Sequence, residues 1–150
     1  MSGGTKRALA TTGAPQAIGP YAQGVVGGGF VFLSGQIALD PERGRLVDGS
    51  IEEETRWVLT NLRAVLAADG LDLDALVRTT VYLTDLADFP RVNQVYAEFF
   101  QEPFPARATV QVAGLPRGAR IEIDGIARPK TGEIGNGGVL RAIGRRGRQR

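Results

Sequence analysis

The chain has 150 residues, 43% of them apolar and 23% charged, a composition that suits one globular domain. It contains no cysteine and no histidine, which excludes a disulfide framework, Ser-His-Asp and Cys-His nucleophilic sites and the usual zinc sites. The formal net charge of +2 hides an asymmetry: residues 129–150 carry six basic side chains against Glu133, leaving residues 1–128 with 12 basic against 15 acidic.

Lysine occurs only at Lys6 and Lys130, outside the patterned region, so a Schiff-base lysine in the folded body is not expected. An enzyme built from this chain draws its acid–base group from Asp, Glu or Tyr and its cations from Arg. Composition leaves a carboxylate-built magnesium site open, but there is no tight Asp cluster of the kind such sites use. No metal or cofactor is expected. No signal peptide is read at the start, and no apolar run approaches the ~18–20 residues of a membrane span. A cytoplasmic protein with no membrane partner is the expectation.

Residues 1–13 are polar and aperiodic and are expected to be a flexible N-terminus, ahead of a single domain over 14–128. Residues 22–26 and 30–34 are short apolar runs around Gly27-Gly28-Gly29, which predicts a hairpin because glycine tolerates positive φ. Asp40 to Gly49, with Pro41 and Gly44, reads as a loop. A helix starts at Ser50, with Glu53 completing a capping box and Glu52, Glu53 and Glu54 at the positive end of its dipole. Val58, Leu59, Leu62, Val65 and Leu66 form its buried stripe, and Gly70 ends it. Val77–Thr84 alternates, is β-branched and reads as a strand. Asp88 is expected to cap a second helix with Pro90 in its first turn, and Phe89, Val92, Val95, Tyr96, Phe99 and Phe100 form its apolar face. Pro103 and Pro105 end it.

Two strands follow, Arg107–Val112 and Ala119–Ala127. The order β-β-α-β-α-β-β predicts an α+β fold with the helices on one face of a sheet. Arg107, Thr109, Gln111, Glu122 and Asp124 are expected on the second sheet face, which could meet water or line a subunit interface; periodicity leaves both open. Arg107 and Asp124 could equally form a surface ion pair, Glu122 could be a solvated strand residue, Tyr21 a packed loop aromatic, Asn93 an exposed helix residue, and Ser34-Gly35 a strand end. Sequence proximity favours pairing 107–112 with 119–127 as a hairpin.

Five motifs alter this reading. Ile18-Gly19-Pro20-Tyr21-Ala22-Gln23, Leu33-Ser34-Gly35-Gln36, Val92-Asn93-Gln94-Val95-Tyr96, Pro105-Ala106-Arg107-Ala108-Thr109 and Leu115-Pro116-Arg117-Gly118-Ala119-Arg120-Ile121-Glu122-Ile123 occur in order between Pro15 and Arg128. Together they resemble the reactive intermediate deaminase family (RidA, also called YjgF). The resemblance implies a chorismate-mutase-like fold, with one mixed sheet in which Val77–Thr84 lies between the two later strands. It also implies a homotrimer with active sites between subunits, and hydrolysis of 2-iminopropanoate and 2-iminobutanoate to 2-keto acids and ammonia. Its implied roles are catalytic for Glu122, which activates water, and for Arg107, which binds the substrate carboxylate. Tyr21, Ser34, Gly35, Asn93 and Thr109 shape the substrate pocket, Thr109 standing where some members have cysteine. The chemistry agrees: a guanidinium fork matches a planar carboxylate, and a positioned carboxylate can deprotonate water. An alternative within the same fold is a 2-keto-acid-binding or interaction protein without turnover, since some relatives are described as translation inhibitors, ribonucleases or chaperones. Residues 129–150 lie outside the resemblance. They are rich in Gly and Arg, are expected to be disordered, and lack the aromatics that stack bases, so nucleic acid is not an expected partner.

Overall fold

The structure, a computed structural model, describes residues 4–130. All of the expected tail beyond Lys130 lies outside the described residues. The elements in chain order are β1 (Arg7–Leu9), β2 (Gly24–Gly27), β3 (Phe30–Gln36), β4 (Leu39–Asp40), β5 (Arg45–Leu46), α1 (Ile51–Ala67), β6 (Leu76–Leu83), α2 (Phe89–Phe99), β7 (Ala106–Gln111) and β8 (Ile121–Ala127). Six strands form one mixed sheet in the order β1-β2-β3-β8-β6-β7, while β4 and β5 pair as a separate ribbon. Only the β6–β7 pair is parallel. Both helices cover one face, with α1 over β3 and β8 and α2 beside α1. Among the described residues no helix is long and apolar enough to cross a membrane.

Local chemistry fixes the first helix as read. The Glu53 amide donates to Ser50 Oγ at 3.1 Å. At the other end Gly70 sits at φ +72, a left-handed position that glycine adopts without strain, and Leu71 N–H donates back to the Leu66 carbonyl. Val58, Leu59, Leu62, Val65 and Leu66 are all fully buried. The β2–β3 hairpin turns through Gly28 and Gly29, at φ +59 and +84, the two positive φ values that a tight hairpin turn requires.

Four expectations need correction. The N-terminal stretch is not wholly loose: β1 pairs with β2, Leu9 is buried, and the Arg7 guanidinium donates to the buried Asp69 carboxylate at 2.8 Å. Lys130, at the far end of the described chain, lies 3.5 Å from the same carboxylate. The expected loop 40–49 is instead occupied largely by the small β4–β5 ribbon, which begins at Leu39. Asp88 does not cap α2 with its side chain, because its backbone is already helical (φ −77, ψ −11); its carboxylate instead accepts from Arg91 at 2.6 Å.

The fourth correction concerns the faces of the sheet. Strand β6 lies between β7 and β8, as the family resemblance implied and sequence proximity did not. Thr79 pairs with Arg107 and Tyr82 with Glu122. Residues 79 and 82 are an odd number of positions apart, so they point to opposite faces. Arg107, Thr109 and Gln111 therefore lie on the helix-covered face with Thr79, Val81 and Leu83. Glu122 and Asp124 lie on the open face with Thr80, Tyr82, Ala108 and Val110. The Arg107–Asp124 ion pair does not form; Asp124 accepts a hydrogen bond from the Tyr82 hydroxyl at 3.0 Å. Phe30, Phe32 and Val110 stay exposed on the open face.

The start of β8 is clamped to α1. Arg120 donates through Nε to Glu54, which is 5% exposed, and through its second nitrogen to the Gly49 carbonyl. Losing a hydrogen bond to a charged partner typically costs ~1.5–3 kcal/mol. Arg120 is 42% exposed, so water replaces part of the pairing and the loss stays below that of a fully buried pair. Glu54→Ala is expected to lower urea-unfolding stability by about 2 kcal/mol with the slope unchanged; an unshifted midpoint would show that the clamp is a surface contact.

Candidate active site

The predicted site residues gather in two clefts on opposite sides of the sheet. The first, about 540 Å³, is lined by Tyr21, Ser34, Gly35 and Glu122 and bounded by Ile18, Ile37, Leu39, Pro41, Pro116 and Arg117. The second, about 410 Å³, is lined by Asn93, Tyr96, Ala97, Phe104, Pro105 and Arg107. Thr109 shares Arg107's face but lines neither cleft. Neither of these two clefts holds both Arg107 and Glu122.

In the first cleft, β3 is irregular. Its register against β8 shifts between Leu33 and Gln36, so Ser34 and Gly35 form a bulge beside Glu122. Bulges re-aim side chains and are frequent beside active sites. Glycine at 35 leaves the Glu122 carboxyl where it is: a Cβ there would lie 2.5 Å from Glu122 Oε2 and would push that side chain aside. The Ser34 hydroxyl donates to the Ala22 carbonyl at 2.6 Å and its amide to the Gln23 carbonyl. Ser34 thus holds the Tyr21 loop against the bulge. Tyr21 itself stands exposed at the mouth.

Gln23 positions part of the cleft wall, a role that the sequence alone does not reveal. Its buried amide accepts from Thr11 N–H at 2.7 Å and donates to the carbonyls of Thr11 and Pro15. These bonds anchor the wall formed by Pro15 and Gln16. The only signal available was its place at the end of the first motif.

Glu122 is half-buried, and burial, followed by the negative charge of Asp124, raises its pKa above the ordinary glutamate value. Tyr82, opposite it in register, also has its pKa raised, chiefly because its hydroxyl donates to Asp124 and partly by burial. A carboxylate that binds its proton more tightly is a stronger base toward water near neutrality.

In the second cleft the Arg107 guanidinium lies 4.7 Å from the centre of the Tyr96 ring and 5.4 Å from that of Phe89. Tyr96 is held by a buried 2.8 Å hydrogen bond between its hydroxyl and Thr79 Oγ1 and by stacking on Phe100. Burial raises the Tyr96 pKa, with the Thr79 bond and the Arg107 charge opposing. Among the described residues no carboxylate pairs with Arg107. The cation is oriented by aromatic faces while its planar donors stay available for an anion. Also among the described residues, no group of three or more Asp or Glu side chains is placed to hold a metal ion.

Residues 11–129 match the family described as Endoribonuclease L-PSP. The chain is 52% identical over 124 residues to Protein DfrA of Myxococcus xanthus, covering 81% of this chain and 95% of that one. It is 48% identical over 127 residues to the mouse 2-iminobutanoate/2-iminopropanoate deaminase, covering 85% and 94%. Its structure superimposes on a putative endoribonuclease of Thermotoga maritima with a TM-score of 0.81 at 51% identity, covering 84% and 99%.

The raised pKa of Glu122 has a measurable sign. Its stabilising contribution is fully present below the ordinary glutamate range and is lost as pH rises through the raised value in the folded chain. Carboxyl-carbon NMR is expected to show Glu122 titrating above the chain's exposed glutamates. Asp124→Asn should lower that midpoint without bringing it fully into line, since burial remains. A midpoint that does not move with Asp124→Asn would rule out the charge contribution.

Proposed function

From the premise that this chain belongs to the endoribonuclease L-PSP family, the reactive intermediate deaminase (RidA/YjgF) family of its motifs, we propose that it hydrolyses 2-imino acids such as 2-iminopropanoate and 2-iminobutanoate to 2-keto acids and ammonia. The observation that carries the mechanism is the division of the site into complementary halves. One face presents an unneutralised guanidinium, and the other presents a carboxyl group with strengthened basicity. An imino acid needs both, at adjacent atoms. The two halves complete each other when Arg107 of one copy meets Glu122 of a neighbour, and a closed ring of three copies repeats that contact with no open end. The exposed Phe30, Phe32 and Val110 on the open face supply apolar area for such an interface.

In this reading Arg107 receives the substrate carboxylate in two parallel hydrogen bonds, fixed in plane by Tyr96 and Phe89. Glu122 takes a proton from water as the water oxygen bonds to the imine carbon. The C=N π electrons move to nitrogen, which takes a proton from solvent, and a tetrahedral amino alcohol results. Glu122 then returns its proton to that nitrogen. The hydroxyl loses a proton to solvent as the C–N bond breaks, leaving ketone and ammonia. Water is consumed and no electrons are exchanged, so the residues present suffice.

Two substitutions separate binding from chemistry. Arg107→Lys keeps the charge and loses the fork, so KM is expected to rise about tenfold or more. Glu122→Gln keeps size but cannot accept a proton, so kcat is expected to fall by ~10²-fold or more while pyruvate still binds. Wild-type turnover by Glu122→Gln would convert the reading to a keto-acid binder.

Complementation tests the divided site. Arg107→Ala and Glu122→Gln are each expected to be inactive. Unfolded together and refolded as mixed oligomers, they should regain up to about a quarter of wild-type activity, the share of sites that draw an intact residue from each neighbour. Failure to regain activity in demonstrably mixed oligomers would place both residues' work within one chain.

A further inference from the structure

The first cleft contains a second arginine that the deamination chemistry leaves unused. Arg117 belongs to the short turn Pro116–Gly118 that leads into β8, and its backbone sits at φ +56. It is the only non-glycine residue with positive φ among the described residues. A side-chain-bearing residue in that region is uncommon and is retained where surrounding contacts over-determine it. Here the contact is visible: Arg117 Nη1 reaches across the cleft to the Gly44 carbonyl at 2.9 Å. That carbonyl is presented by a turn in which Gly44 N–H donates to the Asp40 carbonyl at 2.7 Å, with Gly44 at φ +69. The Asp40 carboxylate is occupied by the amides of Glu42 and Arg43.

The guanidinium therefore spends one donor on a neutral carbonyl. Among the described residues it has no carboxylate partner, Glu122 included. Its neighbours along the wall are Ile37, Leu39, Pro41 and Pro116. Arg117 is itself exposed, so its remaining donors are open to an anionic group that enters the cleft. The first arginine, Arg107, stands at the other half of the site. In the proposed assembly a neighbouring copy brings its Arg107 to Glu122, and a ligand held there shares the first cleft with Arg117.

The geometry points to Arg117 as the residue that selects the substrate side chain, and to 2-imino acids with a second, side-chain carboxylate as the class it selects. These are the imines formed when acidic amino acids are oxidised at the α-carbon. The inference rests on the deaminase reading, in which Arg107 holds the α-carboxylate. Arg117 then receives the distal carboxylate with the donors not given to Gly44, and its bond to Gly44 holds the guanidinium over the cleft. Chemistry at the imine carbon is unchanged: water adds, ammonia leaves, and the distal carboxylate takes no part.

The test compares imines generated in situ by amino-acid oxidases from aspartate, glutamate, alanine and leucine, reading keto-acid release above the uncatalysed rate. The wild-type chain is expected to favour at least one acidic imine over the leucine imine by about tenfold in kcat/KM, the scale of a charge-assisted hydrogen bond. In Arg117→Met, which keeps the length of the stem, that ratio should fall by tenfold or more, mainly through KM. Arg117→Lys should restore part of it. Acceleration of the alanine and leucine imines without preference for either acidic imine overturns the inference and leaves the deaminase reading standing. A proportional loss on all four imines in Arg117→Met also overturns it and reduces Arg117 to a structural tie. Acceleration of none of the four by the wild-type chain overturns the deaminase reading itself.

Discussion

The constraint on which the site depends is the alternation of side chains along a pleated strand, applied across three strands. Once β6 is inserted between β7 and β8, the facing of every residue on those strands follows from register alone. The insertion comes from the crossover: β6 runs into α2, and α2 returns the chain to a parallel neighbour, which no short hairpin could reach. The helix that makes the crossover also supplies the aromatic rings under Arg107. Topology, cation and cradle come from one unit of the chain. The opposite face receives Glu122 by the same rule, so the separation of the two groups is a property of the sheet and not of any loop.

Each half is prepared electrostatically before any ligand arrives. Among the described residues Arg107 meets no carboxylate. Ring faces orient it without occupying its donors. Glu122 is treated in the opposite way: burial and Asp124 make its charge less favourable, and Gly35 removes the one methyl group that would push its carboxyl aside. The support behind these groups is mostly backbone. Gln23, Ser34 and the Arg120–Glu54 clamp are spent on holding the segments from which the cleft is built. The two helices and the buried stripe of α1 make the platform rigid at a distance from the chemistry.

How far the sequence could be read depended on how local the deciding contact was. Ser50, Glu53 and Gly70 announced α1 because capping is settled within a few residues. The glycine-rich hairpin was legible for the same reason. Strand β1 was not, since three residues with one buried side chain carry almost no periodic signal and owe their place to β2 and Asp69. The sidedness of Arg107 was misread because Ala108, Val110 and Val112 look like the core-facing set. The structure reverses them by giving the arginine aromatic neighbours on α2, a contact invisible from β7 alone. The placement of β6 came from motif resemblance, because proximity in the chain favours a hairpin and a parallel pairing is non-local. The motifs named Tyr21, Ser34, Gly35, Asn93, Arg107 and Glu122, but spacing could not say that they fall into two clefts. Nor could it give the reason for Gly35 or the left-handed backbone of Arg117.

The buried carboxylate of Asp69 gathers Arg7 from the first strand and Lys130 from beyond the last. Residues 7 and 130, near the two ends of the described residues, therefore approach one another at the foot of α1. The stretch between these two residues is close to being a ring. Joining residue 7 to residue 130 by a short linker would demand little rearrangement, and the closed molecule would lose freedom chiefly in its unfolded form. The same fold could then be opened elsewhere, as a circular permutant, with its strand order and both half-sites intact.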